Sequence, residues 1–315
     1  MKYKHLFGPV NSRRLGISLG VDLVPYKYCP LNCVYCEIQS TTHLETTRRE
    51  FFSPAEIMTE LDSFLKSKPH LDYITFSGAG EPTLNSSIGE VIHHIKSRYP
   101  EYKLALLTNG TLLSDPDVLE AVLPCDLILP SLDAASDDVY QKVNRPHPDL
   151  TAQGLIAGFK RLRTAYNGDI WLEVFIVPGI TDTPSELELL RDAIREINPN
   201  LVQLNSLDRP GAEDWVEAAS PERLKEIRKY MRETLPMPVE IIAKIKYQTG
   251  MNVLDAELVE LIRGTITRRP STAEDLAANL DIHINEISKV LRELNTEGKL
   301  YAERKERGVF YRWIA

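Results

Sequence analysis

Six times after Ile17 the chain repeats one unit: a short apolar run, a turn rich in Gly, Pro, Asn or Asp, then apolar residues at helical spacing. The runs are 17–25, 73–77, 104–107, 127–129, 171–177 and 201–204. Apolar runs with few breaks between turn signals read as buried strands. Helix starts stand between them: Ser53-Pro54-Ala55-Glu56, Thr183-Pro184 and Ser220-Pro221 each offer a capping residue before proline. Ile57, Leu61, Phe64 and Leu65 give the first helix one apolar face, and Leu155, Phe159 and Leu162 do the same within 151–166. Alternation of this kind implies right-handed crossovers and a parallel sheet, open or curled. A complete eight-unit barrel needs about 250 residues. Six units fit the space, so the expected fold is α/β, a partial (β/α)6 TIM-like barrel of parallel strands.

Three cysteines interrupt this pattern after the first run, in Cys29-Pro30-Leu31-Asn32-Cys33-Val34-Tyr35-Cys36. A cubane iron–sulfur cluster normally takes four thiolates. The fourth cysteine, Cys125, lies in another predicted element, and a lone cysteine with apolar neighbours is usually core. One 4Fe-4S cluster on Cys29, Cys33 and Cys36 would keep one iron open, as a reactive metal centre requires. The competing reading is a zinc knot closed by His43. A disulfide suits the chain less, because four cysteines without an export signal belong to a reducing compartment. Met1 to Pro9 carries no signal-peptide pattern, and no window reaches the ~18 apolar residues of a membrane helix. A soluble cytoplasmic protein is expected.

The remaining motifs follow predicted strand ends, where barrel enzymes place their sites. Gly78-Ala79-Gly80-Glu81-Pro82 follows the second strand, Thr108-Asn109-Gly110 the third, Ser131-Leu132-Asp133 the fourth and Val177-Pro178-Gly179 the fifth. Each alone reads as a turn. In order, after a cysteine triplet, they read as one edge.

Cys-x-x-x-Cys-x-x-Cys with an aromatic before the third cysteine resembles the signature of the radical S-adenosylmethionine (SAM) superfamily. The resemblance covers about residues 7–242. It implies a cluster bound by the three cysteines, with the amine and carboxylate of SAM on the fourth iron. It also implies reductive cleavage of SAM to a 5′-deoxyadenosyl radical, which abstracts hydrogen from a substrate. A one-electron donor such as flavodoxin or ferredoxin would supply the electron. Carried onto this sequence, the cofactor contacts are Tyr35 and Val177 at the adenine, Gly78, Gly80 and Glu81 at the methionyl end, and Asn109 on the third strand. Ser131 and Asp133 follow on the fourth strand, and Arg145 is placed for the carboxylate. No residue is assigned to substrate chemistry. Ser12-Arg13-Arg14-Leu15-Gly16, after Gly8-Pro9, is similar to a subgroup of iron–sulfur oxidoreductases related to the wyosine tRNA-base synthases. The sequence does not name the substrate: a tRNA base, a peptide side chain and a small metabolite all stay open.

The pattern changes near Val253, which divides the chain into 1–252 and 253–315. Helices at 254–266, 271–280 and 285–296, then strands at 299–303 and 309–313, resemble a winged helix-turn-helix. Ten Lys and Arg against eleven Asp and Glu give this part a net charge of −1, and the whole chain carries −8. DNA affinity leans on phosphate contacts, so docking of a substrate, RNA or peptide, suits this domain better than reading a duplex. The rival class is a redox-sensing regulator whose cluster governs DNA binding.

Overall fold

The computed structural model describes residues 3–12, 14–242, 256–280, 282 and 284–314. Arg13 and the expected boundary at 252/253 lie outside them. The central sheet has eight strands: β1 (Leu6–Ser12), β2 (Gly16–Val21), β3 (Tyr73–Phe76), β4 (Leu104–Thr108), β5 (Leu127–Pro130), β6 (Asp169–Phe175), β7 (Leu201–Asn205) and β8 (Val239–Ile241). Their order in the sheet is their order in the chain. β1 pairs antiparallel with β2, and every later pair is parallel. Always stepping to the same side curls a twisted sheet toward a barrel. The chain folds as a partial TIM-like barrel, with six helix-linked units from β2 to β7 and β8 as the closing strand.

The connecting helices are α1 (Pro54–Leu65), α2 (Ile88–Arg98), α3 (Pro116–Val122), α4 (Asp137–Val143), α5 (Ala152–Ala165), α6 (Pro184–Ile197) and α7 (Pro221–Thr234). Thr151, Thr183 and Ser220 cap α5, α6 and α7 through their hydroxyls, as their sequence positions indicate. Ser53 precedes Pro54 but its side chain makes no cap bond. The outward strand residues and the inner helix faces form one apolar core, which includes Leu19, Ile74, Leu106, Ile128, Leu172 and Leu204. Inside the barrel a smaller cluster of Ala105, Leu127 and Leu129 closes over Leu15 from the β1–β2 turn.

The C-terminal segment adds α8 (Ala256–Arg268), α9 (Ala273–Leu280), α10 (Ile284–Thr296) and an antiparallel pair, β9 (Leu300–Lys305) and β10 (Gly308–Trp313). Leu258, Ile262, Leu276, Ile287, Leu291 and Leu300 give it an apolar cluster of its own. It lies against the barrel, with α8 and α9 on β1.

Candidate active site

The cysteine segment and the strand-end motifs named from the sequence gather at the C-terminal ends of the parallel strands, whereas Ser12 to Gly16 lies at the opposite end of β2. The cysteine segment leaves β2, crosses the mouth and is pinned from several sides. Lys27 N–H donates to the Ala79 carbonyl at 2.7 Å, and Glu81 N–H donates to the Tyr28 carbonyl at 3.0 Å. A short bridge pairs Tyr28–Cys29 with His43–Leu44. Gly80 has no room for a side chain, since a Cβ there would meet the Tyr28 carbonyl at 2.1 Å. Gly78 has φ +124°, and its Cβ would meet Asp22 Oδ1 at 1.5 Å. These glycines let the cysteine segment lie directly on the end of β3.

Each of the three cysteine sulfurs accepts a side-chain N–H, and Cys29 also accepts from the Leu31 backbone. Lys27 Nζ lies 3.2 Å from Cys36 Sγ, Asn109 Nδ2 3.3 Å from Cys29 Sγ and Asn144 Nδ2 3.4 Å from Cys33 Sγ. All three cysteines are half-buried, whereas Cys125 is buried in the core. Burial, and then the charge of Glu81, pushes the Cys29 thiol up to about 12. Burial and then Asp133 drive Cys33 well above the ordinary thiol range. Such sulfurs ionise only for a strongly electropositive partner, which bound iron provides. No group of three or more His, Cys, Asp or Glu among the described residues is placed to hold a single ion. His43 instead stacks on Tyr28 at 4.0 Å. Three thiols in one loop fit a thiolate-held iron–sulfur cluster.

The two buried carboxylates are anchors. Glu81 Oε1 accepts from Thr83 N–H (3.1 Å), Thr83 Oγ1 (2.5 Å) and Thr108 Oγ1 (2.6 Å), and Oε2 accepts from Asn109 N–H (2.8 Å). It ties the β3 end to the β4 end and aims Asn109 at Cys29. Asp133 accepts from Tyr35 OH, Asn144 Nδ2 (2.7 Å) and Phe175 N–H (2.9 Å). Burial raises its carboxyl to about 6 against those stabilising donors. The Asn144 side-chain oxygen Oδ1 is buried without a protein partner, a polar atom left over on the side chain that donates to Cys33. Tyr35 stacks on Phe175 with ring centroids 3.8 Å apart, next to buried Val177. Ser131 bridges to Glu173 on β6. Arg145, at φ +43°, pairs with Glu213 at 2.5 Å.

The structure adds residues that the sequence reading did not single out. Lys27 and Asn144 touch the thiols. Arg14 pairs with Glu173 inside the barrel, and Asn205 Nδ2 donates to the same carboxylate at 3.1 Å. Arg209, after β7, pairs with Glu37 (3.1 Å) beside Cys36 and with Asp275 of α9 (3.6 Å). Arg307, in the β9–β10 turn, pairs with Asp208 (2.9 Å) and Asp275 (2.5 Å). Arg268 of α8 reaches Asp22 (2.7 Å from Nε) over the ring of Phe7. The only hints in the sequence were positional: Lys27 stands two before Cys29, Asn144 stands beside Arg145, and Arg14 lies in the N-terminal motif.

Residues 23–194 match the radical SAM superfamily. The chain belongs to that superfamily. A UPF0026 protein of Helicobacter pylori is 31% identical over 277 residues, 88% of each chain, so the chain also belongs with the UPF0026 proteins. A protein named GTPase Obg from Brachyspira hyodysenteriae is 31% identical over 96% of this chain, which spans only 44% of that protein. In fold, a radical SAM methyltransferase from Sphaerobacter thermophilus aligns with a TM-score of 0.56 at 16% identity, over 71% of this chain and 65% of that one. The chain is a radical SAM enzyme, and membership implies an iron–sulfur cluster and SAM. Among the described residues, no helix is long and apolar enough to cross a membrane.

Proposed function

We propose that this enzyme holds one 4Fe-4S cluster on Cys29, Cys33 and Cys36 and binds SAM across the adjoining strand ends. The observation that carries this reading is the set of three half-buried sulfurs, each with a side-chain N–H donor, beside the buried Asn144 Oδ1 that lacks a protein partner. When bound and reduced, the cluster supplies the electron that cleaves SAM to a 5′-deoxyadenosyl radical for hydrogen abstraction from substrate.

The protein's own residues bind and orient. Gly78 and Gly80 act through the packing they permit, since Asp22 and Tyr28 occupy their Cβ space, and the Asn144 side-chain oxygen is an acceptor for the ammonium of the cofactor's methionyl end. Tyr35 and Val177 offer an apolar wall to adenine, and Ser131 a hydroxyl. Glu81 and Asp133 act through the side chains they hold, Asn109, Tyr35 and Asn144, because their oxygens are engaged by protein donors. Arg145 reaches a carboxylate only by exchanging Glu213 for it.

A flavodoxin- or ferredoxin-like donor would deliver the electron. Residues 253–315, read as a winged helix, would help position the substrate at the mouth, whether a tRNA base, a peptide side chain or a small metabolite. The sequence contains no G-x-x-x-x-G-K-[ST] phosphate loop, so the activity in the Brachyspira protein's name gains no support from this chain. The test is anaerobic reconstitution with iron and sulfide, then dithionite and SAM. Formation of 5′-deoxyadenosine is expected; a stable cluster that never cleaves SAM would sink the proposal.

A further inference from the structure

Lys27 is 2% exposed, and its ammonium lies 3.2 Å from Cys36 Sγ. A buried charge is retained only with strong compensation. The backbone repeats the point. Lys27 has φ +61°, a left-handed conformation that glycine adopts without strain and lysine does not. Its main-chain bonds to Ala79, Thr42 and His43 are available to any residue. The side chain is what a glycine could not supply, and the atom it brings is the ammonium on Cys36. Asn109 and Asn144 donate to the other two sulfurs as neutral amides. Lys27 is thus the one cationic donor in a ring of three.

We infer that Lys27 is a positioning residue that sets the reduction potential of the centre held by Cys29, Cys33 and Cys36. Reduction adds negative charge to an iron–sulfur centre. A hydrogen bond and a positive charge at a ligand sulfur stabilise the reduced form more than the oxidised form. Lys27 therefore makes the centre easier to reduce and works against the carboxylates of Glu81 and Asp133 nearby. Its burial shields the effect from salt.

This inference rests on the cluster reading above, and the experiment separates the two. Full-length protein is reconstituted anaerobically, assayed for iron and sulfide, then titrated potentiometrically by electron paramagnetic resonance without SAM. The variants are Lys27→Met, which keeps the stem, and Lys27→Gly, which suits φ +61° and guards against misfolding. Both are expected to keep full iron and to shift the midpoint potential negative, equally at low and high salt. Lys27→Arg should restore most of the shift, and Asn109→Ala should shift it less than Lys27→Met. An unchanged potential in both main variants at full iron would make Lys27 a packing element and overturn the inference. Loss of iron from both would do so too, by making Lys27 a holder of the loop. Absence of a cluster from the parent protein would instead overturn the cluster reading.

Discussion

Replacing Arg268 by Met tests whether the C-terminal segment is part of the barrel's working structure. Asp22 ends the β2 strand, accepts Ala79 N–H at 3.0 Å and pairs with Arg268, the two side chains being 8% and 16% exposed. Burial raises the Asp22 carboxyl above its ordinary 3.8, and the guanidinium counters this. Removing one partner of a buried pair costs about 3–5 kcal/mol. The carboxyl sets a ceiling, because it takes up a proton when left alone. Holding a group of ordinary value 3.8 neutral costs about 4 kcal/mol at pH 7 and under about 2 kcal/mol at pH 5. The folded variant binds more protons than its unfolded chain above 3.8, so its stability falls as pH rises. Arg268→Met should therefore lose about 3–4 kcal/mol at pH 7 and less than half of that at pH 5. Urea unfolding of reduced, iron-free, full-length protein at both pH values measures this, with hydrogen exchange in α8 and β1 as a local probe. Asp22→Asn combined with Arg268→Met should recover most of the loss. A cost under about 0.5 kcal/mol at both pH values, the level of an ordinary surface change, would refute the reasoning.

Cys125→Ala should keep the full iron content and colour of reconstituted protein, and Cys33→Ala should lose both; equal loss in the two would mean four thiolates and no open iron. Asp133, held near 6 in the fold, binds more protons there than in the unfolded chain between about 4 and 6. The iron-free protein should lose up to about 3 kcal/mol across that window as pH rises, and Asp133→Asn should flatten the curve in denaturant titrations. Asp133→Ala should weaken SAM binding roughly ten- to hundredfold in a direct titration, and it should also lower the melting temperature, because three donors lose their acceptor. Gly78→Ala should cost well over about 1 kcal/mol from φ +124° alone. The further cost of its Cβ meeting Asp22 should couple to Arg268→Met in a double-mutant cycle, because both changes act on Asp22, while the backbone strain should add.

The six strands named from the sequence all form, within a few residues of the expected limits, because strands covered on both faces must be apolar throughout. β1 was not anticipated: it is an edge strand with a bulge at Gly8 and Pro9, and half-buried side chains leave little pattern. β8 spans three residues, too few to carry a period. α3 and α4 are seven residues each, and their buried pairs, Val118 with Val122 and Tyr140 with Val143, are too few to mark a repeat in sequence. At the site, Cys29, Cys33 and Cys36 are legible because they crowd into one loop. Asn144 and Lys27 are not, since what matters is the sulfur each faces, and for Asn144 that sulfur is 111 residues away. Glu81 and Asp133 follow strand ends, as their sequence positions indicate, but a sequence does not tell whether a carboxylate faces a ligand or its own backbone.

The C-terminal segment shows how charge that looks available in a sequence can be consumed by the fold. In sequence, Lys299, Arg304, Lys305, Arg307 and Arg312 gather basic charge on the hairpin, where it could meet one polyanionic or acidic partner edge. Arg307 is instead drawn between Asp208 and Asp275, Lys305 onto Glu303 at 2.7 Å and Lys299 onto Glu297 at 2.6 Å. Asp275 is held below the ordinary carboxylate range although burial alone would raise it, because Arg209 and Arg307 outweigh burial. Arg209 links this cluster to Glu37, one residue beyond Cys36. The sequence alone suggests that a truncation near Tyr247, outside the described residues, would spare cluster assembly. The contacts argue otherwise. Such a cut would remove Arg268 from Asp22 beneath Gly78 and Asp275 from Arg209 beside the cysteine loop. A buried charge stripped of its partner is worse than no charge. The barrel and the C-terminal segment therefore build the mouth together, and a partner that docks on the segment acts on a structure already joined to the cysteine loop.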